Sequence, residues 1–333
     1  MPKPSRTGTF NMIEHILPDL YKIEIPLLGS PLKALNTYVI KSEYRNLIVD
    51  TGWNTSECLN AMLSGLRQLR VDLERTDFFI THFHADHLAL LPELARDSAT
   101  VYFNRPDAQW VASGLMRKDL LNFACANGFP EKDRQALLQN HPAKKFKHPK
   151  QPVFSILKDN DDLRVGDYRF SCVQTPGHTR GHMCLYEADR KVLVCGDHLL
   201  DRITPIIQLW SDEENPLEEY LASLDKVQAL DIDLVLPGHS ALFKNAGERI
   251  QELKRHHMQR CDEILSILRQ GRKNAFQIAS QATWSIQNRY DSWDKFPLQQ
   301  KWFATGETIS HLKYLQEQGR VQRDDAGETI LFF

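Results

Sequence analysis

The sequence predicts an α/β fold with a smaller, mainly helical C-terminal part, and three observations carry that reading. Short β-type runs alternate with helical patterns up to about residue 245. Several of those runs end in a glycine turn followed by His or Asp, as in Thr175-Pro-Gly-His178, Cys195-Gly-Asp197 and Leu236-Pro-Gly-His239. From Ala246 onward the pattern changes to long helical segments. The expected division is therefore 1–245 as the main domain and 246–333 as a C-terminal domain, which suits a chain of 333 residues.

Composition narrows the class. Apolar residues at 42% and charged residues at 25% exclude a disordered, collagen-like or coiled-coil chain. Lys+Arg 41 against Asp+Glu 43 leaves a formal charge of -2, so no global basic field exists to hold nucleic acid or an anionic membrane. There is no apolar run of about 18 residues, and Met1-Pro-Lys-Pro-Ser-Arg6 lacks the apolar stretch of a signal peptide, so a cytoplasmic protein without a membrane partner is expected. The six cysteines form no Cys-x-x-Cys pair and read as free thiols, with Cys172, Cys184 and Cys195 in the core.

The elements follow in order. Residues 36–41 and 46–52 are β-rich runs around the polar turn Ser42-Glu-Tyr-Arg45, a hairpin that ends at Asp50. Leu59, Met62, Leu66 and Leu69 recur at helical spacing, and Asp77-Phe-Phe-Ile80 is a short buried strand. Leu88 to Ala95 reads as helix, so Thr81-His-Phe-His-Ala-Asp-His87 occupies a strand-to-helix loop, where side chains converge at a sheet edge. Residues 105–150 read as a helical insertion beside the site, closing in the basic stretch 142–149 with Lys144, Lys145 and Lys147. Strands resume at 168–173, 183–186, 192–195 and 234–236, with a helix near 217–230. A long helix over 248–269 leads the C-terminal part, whose closing pair, 320–323 and 328–333 around Asp325-Ala-Gly327, resembles the wing of a winged helix.

The chemistry concentrates in His82-x-His84-x-Asp86-His87, three imidazoles and a carboxylate within six residues. These are donors suited to a divalent first-row metal. His82 and His84 alternate on an extended segment and point the same way, whereas Asp86 and His87 come from the turn that enters the helix and reach a second position. One loop can therefore serve two ions. His178, Asp197 and His239, each placed after a strand and a glycine-containing turn, complete the candidate set.

In that order and placement the motifs resemble the metallo-β-lactamase superfamily of hydrolases, and residues 81–87 are close to the glyoxalase II form of its signature. The resemblance spans residues 12–245. It implies an αβ/βα sandwich with metals at one edge: His82, His84 and His178 on a first ion, Asp86, His87 and His239 on a second, and Asp197 bridging the two. It further implies a hydroxide between the ions that attacks a carbonyl carbon or phosphorus, with Asp86 or Asp197 taking up the proton. Asp50 in Val49-Asp-Thr-Gly52 matches a further family motif and is expected to orient a ligand histidine. His182 and His198 flank ligand positions and are expected to have hydrogen-bonding or structural roles. Antibiotic-degrading members lack the bridging aspartate, which points away from β-lactam hydrolysis. Zinc is the default metal, with manganese and iron as alternatives for a set free of thiolate.

A small ester, thioester or lactone ranks first as substrate, with 105–150 as a specificity lid. The tail makes the chain similar to the lactamase-beta-like endoribonuclease group, so single-stranded RNA is the second reading. Lys144, Lys145 and Lys147 in the insertion and Arg269, Arg272 and Lys273 in the tail, with Trp284, Tyr290, Trp293 and Trp302, are its candidate contacts. A one-iron persulfide dioxygenase and a non-catalytic nucleic-acid- or protein-binding sensor are the remaining alternatives.

Overall fold

In a computed structural model, residues 13–113, 118–140, 153–209, 211–285 and 290–333 are described. Seven strands form the first sheet in sequence order: β1 (Ile13–Leu17), β2 (Leu20–Pro26), β3 (Ala34–Ile40), β4 (Asn46–Val49), β5 (Thr76–Phe79), β6 (Val101–Asn104) and β7 (Phe154–Leu157). Its first four strands pair antiparallel and β4 to β7 pair parallel. The second sheet holds β8 (Asp162–Val165), β9 (Tyr168–Gln174), β10 (Met183–Glu187), β11 (Val192–Gly196) and β12 (Leu234–Pro237), with one parallel pair, β11 with β12.

The period of two explains the packing. Tyr38, Ile40, Leu47 and Val49 meet Phe170, Cys172, Leu185 and Val194 between the sheets, all buried. The alternate residues Leu35, Val39 and Ile48 turn outward onto Cys58, Met62 and Leu66 of α1 (Ser56–Leu69). That helix starts at Thr55, whose side chain accepts from the Cys58 N–H, and stops at Arg70 in the left-handed conformation.

Parallel strands need crossovers, and these carry the remaining helices of the main body. Between β5 and β6 lie α2 (Ala85–Leu88) and α3 (Leu91–Leu94). The single helix expected from Leu88 to Ala95 is thus two short turns, because Pro92 has no N–H to continue the ladder back to Leu88. Between β6 and β7 come α4 (Arg105–Ser113), α5 (Lys118–Ala126) and α6 (Arg134–Asn140). Trp110 and Val111 of α4 join the core on the outer face of the first sheet. The basic stretch 142–149 lies outside the described residues.

On the outer face of the second sheet, Leu193, Cys195 and Val235 share one apolar cluster with α7 (Pro216–Gln228), α8 (Ala246–Leu268), α9 (Ala275–Gln281) and α10 (Leu298–Glu317). The chain closes on a two-residue ladder, β13 (Arg323–Asp324) with β14 (Leu331–Phe332). The four aromatic residues expected as RNA contacts pack against the protein: Trp284 is buried and donates to the Ala279 carbonyl, the partly buried Tyr290 and Trp293 pack on the same cluster, and Trp302 packs with Leu121 and Phe129. Arg272 pairs with Asp324. All six cysteines are free, and Cys172, Cys184 and Cys195 are buried. Among the described residues no helix is long and apolar enough to cross a membrane.

Candidate metal centre

The C-terminal ends of β4, β5, β9, β11 and β12 lie at one edge of the sandwich, and each delivers a polar side chain there. Asp50 follows β4, His82 to His87 follow β5, His178 follows β9, Asp197 follows β11 and His239 follows β12. Close approach explains the glycines that precede the last two. A Cβ on Gly238 would meet the Asp197 Oδ1 at 2.6 Å and the His87 Cε1 at 2.8 Å, and one on Gly196 would meet the Thr81 Oγ1 at 2.6 Å.

Among the described residues, three groups of side chains offer ligand atoms within 4.8 Å of one another: His82, His84 and His178; His82, His87 and Asp197; Asp86, His87 and His239. In the first group the His84 Nδ1 lies 3.0 Å from the His82 Nε2 and 3.0 Å from the His178 Nε2. That spacing is close to the edge of a coordination polyhedron whose metal–nitrogen bonds are about 2.0–2.1 Å. In the others, the Asp197 Oδ1 is 3.5 Å from both the His87 Nε2 and the His239 Nε2, while its Oδ2 is 3.7 Å from the His178 Nε2. The Asp86 Oδ2 is 3.4 Å from the His239 Nε2. One carboxylate therefore turns one oxygen to each side.

The far nitrogen of four of the rings, His82, His87, His178 and His239, is already engaged, which leaves their Nε2 defined as the inward-facing nitrogen. The His178 Nδ1 donates to the Ile206 carbonyl at 2.9 Å, and the His239 Nδ1 donates to the Ala34 carbonyl at 2.7 Å. The His87 Nδ1 donates to the Asp50 Oδ2 at 2.7 Å. Thr81 donates its hydroxyl to the same oxygen at 2.8 Å and so accepts from the His82 Nδ1 at 3.0 Å. Asp50 also accepts the Thr81 N–H at 2.9 Å. The Nε2 atoms of His87 and His239 and the Oδ1 of Asp197 are buried with no hydrogen-bond partner among the described residues. Buried atoms of this kind fit a cation.

Electrostatics divide the cluster. Burial and neighbouring imidazoles hold His82 well below the ordinary histidine range, and burial takes His84 down to about 3 and lowers His178. Those rings are neutral and ready to ligate. Burial acts in the same sense on His87 and His239, but the carboxylates beside them outweigh it: Asp50 and Asp197 raise His87 well above the usual value, and Asp197 with Asp86 raises His239. Against their own burial, His239 and His87 bring Asp86 down to about 2 and hold Asp197 well below the carboxylate range.

His182 and His198 lie behind this layer. The His182 Nδ1 is 2.8 Å from the Thr175 hydroxyl, and its ring centroid is 5.2 Å from that of His82. His198 packs its ring on Tyr220, whose hydroxyl donates to the His198 carbonyl at 2.9 Å.

One residue was absent from the sequence expectations. Asp107 of α4 is buried and accepts the Phe83 N–H at 3.0 Å, the Thr179 hydroxyl at 2.8 Å and the Gly181 N–H at 2.8 Å. It ties the loop that carries His82 and His84 to the loop that carries His178. Desolvation raises its carboxyl to about 6 against those three bonds. Asp107 falls in the stretch read as an insertion, and no local motif marks it, because its partners are 24 to 74 residues away.

The family profile described as "Metallo-beta-lactamase superfamily" matches residues 32–120 and 122–239. The chain is 25% identical over 250 residues to the atrochrysone carboxyl ACP thioesterase of Aspergillus fumigatus, covering 71% of this chain and 64% of that one. It is 25% identical over 236 residues to the human acyl-coenzyme A thioesterase MBLAC2, covering 67% of this chain and 78% of that one. Across the first curated relatives the match spans about two thirds of their length. Among solved structures, a metallo-beta-lactamase family protein of Thermus thermophilus is 27% identical with a TM-score of 0.78, covering 95% of this chain and 99% of that chain.

Proposed function

The chain belongs to the metallo-beta-lactamase superfamily, and from that premise we propose that it is a metal-dependent thioesterase, a hydrolase of small acyl thioesters that carries two divalent ions, zinc by default. The observation that carries the reading is Asp197, whose two oxygens face two separate donor groups, Oδ1 toward His87 and His239 and Oδ2 toward His178. His82, His84 and His178 would hold one ion, Asp86, His87 and His239 the other, and Asp197 both. Two thioesterases among the relatives support the choice of bond.

Bound ions supply Lewis acidity toward the thioester oxygen and a lowered pKa for water. The chain's own residues do the rest. Asp50, through His87 and Thr81, and the carbonyls of Ile206 and Ala34 hold four imidazoles with Nε2 facing inward. Asp86, slightly exposed beside His239, takes the proton from the attacking water. As the water oxygen bonds the carbonyl carbon and the C–S bond breaks, that proton passes to the thiolate, a stronger base than the carboxylate. The acid product releases the second proton to solvent.

The test is release of free thiol from acyl-coenzyme A substrates by protein of known metal content, with Asp197→Ala in parallel. Two metal equivalents and thiol release that falls at least a thousandfold in the variant are expected. A protein holding two ions that releases thiol from no acyl thioester overturns the reading. Cleavage of end-labelled single-stranded RNA, abolished in the same variant, would replace it with a phosphodiesterase, and one iron per chain would point to an oxygenase.

A further inference from the structure

Residues 199–209, on the way from β11 to α7, pass behind the His178 ring, where the Ile206 carbonyl accepts from its Nδ1 at 2.9 Å. Among the described residues, no backbone-to-backbone hydrogen bond holds this segment. Its carbonyls accept from side chains instead. The Cys195 thiol donates to the Leu199 carbonyl at 3.1 Å. Arg249, in the first turn of α8, donates its Nε to the Leu200 carbonyl at 2.7 Å and its Nη2 to the Ile203 carbonyl at 3.0 Å. The third guanidinium nitrogen, Nη1, is paired at 2.9 Å with the exposed Glu252.

One side chain therefore pins the segment at two points, a task that suits a guanidinium because its donors lie in one rigid plane. The second pinned carbonyl is three residues from Ile206, and Thr204 and Pro205 fill the gap. Proline locks its own φ, and its ring presses the residue before it toward extended backbone. A stiff stretch of at most about 11 Å thus links the Ile203 carbonyl to the Ile206 carbonyl. Past Ile206, Ile207 and Leu209 are buried in the cluster shared with α7, α8 and α10, and Gln208 donates to the Phe303 carbonyl at 3.5 Å. What this arrangement holds in place is an imidazole. With its Nδ1 engaged, His178 turns Nε2 to within 3.0 Å of the His84 Nδ1 and 3.7 Å of the Asp197 Oδ2.

We propose that Arg249 is a positioning residue of the metal centre, acting through residues 200–206 on the ring of His178. Helix α8 then belongs to the scaffold of the centre, although it opens the stretch expected as a separate C-terminal domain. The inference rests on His178 as a metal ligand and not on the thioester as substrate. Without the guanidinium the Leu200 and Ile203 carbonyls lose charge-assisted bonds, and the acceptor behind His178 loses its support. A group bonded directly to a ligand histidine is worth about 10- to 100-fold in metal affinity, so a residue one step further back is expected at the low end, about tenfold.

The test is a double-mutant cycle on the affinity for the first zinc equivalent, measured on the whole protein by competition with a chromogenic chelator. Its corners are wild type, Arg249→Ala, His178→Ala and the double variant. Binding about tenfold weaker in Arg249→Ala is expected, with no further weakening when the same change is made in His178→Ala, because the ring through which Arg249 acts is already gone. Arg249→Lys, which reaches one carbonyl but not both, should fall between, and it carries the cycle if the alanine variant does not fold. Glu252→Gln, which removes the ion pair and leaves both carbonyl bonds, should match wild type. Equal weakening with and without His178 would assign Arg249 to the fold alone and overturn the proposal, as would wild-type affinity in both Arg249 variants. In those two cases zinc binding that His178→Ala impairs leaves the metal centre standing. A wild type that binds no zinc, or binding that His178→Ala does not change, removes His178 as a ligand and the role of Arg249 with it.

Discussion

The Asp50 Oδ2 and the His87 Nδ1 stand 2.7 Å apart, both buried, in a contact that joins the end of β4 to the helix entry 37 residues later. Asp50 adopts a left-handed backbone at φ 59, and the next residue, Thr51, grips the His87 carbonyl with both its N–H and its hydroxyl. The turn thus fixes His87 by ring and by backbone. Because the same carboxylate orders His82 through Thr81, its removal loosens two imidazoles at once. Asp50→Ala is expected to weaken metal binding about 10- to 100-fold, read by competition with a chromogenic chelator. Unchanged affinity would show that the rings are held by packing alone.

Asp107 makes a separable prediction, because it touches no ligand ring. Asp107→Ala leaves the Phe83 and Gly181 N–H groups and the Thr179 hydroxyl buried without their acceptor. One such loss costs about 1–3 kcal/mol, and three that share one site sum to less than their separate values. A loss of about 3 kcal/mol in urea unfolding is expected, together with a lower kcat at nearly constant KM. Asp107→Asn, which retains one acceptor oxygen, should recover part of both. If stability falls while kcat in the folded fraction is untouched, Asp107 holds the fold and not the site.

What the sequence revealed, and what it hid, follows from range. The hairpin 36–52, the loop 81–87 and the His and Asp placements after β9, β11 and β12 were legible because each is a local pattern of strand, turn and donor. Strands β6, β7 and β8 were not, since each has four residues and, unlike the equally short β4, β5 and β12, no ligand-type His or Asp motif follows to mark its end. β1 and β2 also escaped, lying before the first turn signal that was read. The break at Pro92 follows from a residue that was plain in the sequence but outweighed by apolar spacing. Asp107 and the carbonyls of Ile206 and Ala34 could not be read at all, because a backbone acceptor carries no residue signature and its partner is fixed only by the fold.

Glu307 supplies a pH test away from the metals. It is buried on α10, and desolvation, partly offset by Arg260, raises its carboxyl to about 7. A raised folded-state value means that the folded chain holds this proton more tightly than the unfolded chain. The associated stability is complete below the unfolded value near pH 4.5 and is lost as pH rises toward 7. The difference corresponds to an effect on the order of 3 kcal/mol. Glu307→Gln should therefore be more stable than wild type at pH 8 and nearly equal at pH 4.5, by urea unfolding at both values. Parallel stability curves would mean that the carboxyl reaches water or a closer cation.

Metal loading should proceed in two steps with different pH dependence. His82, His84 and His178 are neutral by burial, so an ion entering among them displaces no proton. His87 and His239 are raised by Asp50, Asp197 and Asp86, so near neutrality an ion on their side must displace protons to gain the same nitrogens. Affinity for that ion then falls with decreasing pH, about tenfold per unit for each proton displaced, while the first ion is retained. Zinc titrations between pH 6 and 8, in two buffers of different ionisation heat, read both the stoichiometry and the protons released. Two equivalents at pH 8 that fall to one near pH 6, with proton release confined to the second equivalent, are expected. Loss of both ions together, or equal proton release from each, would mean that the seven donors act as one set and that Asp197 does not divide them.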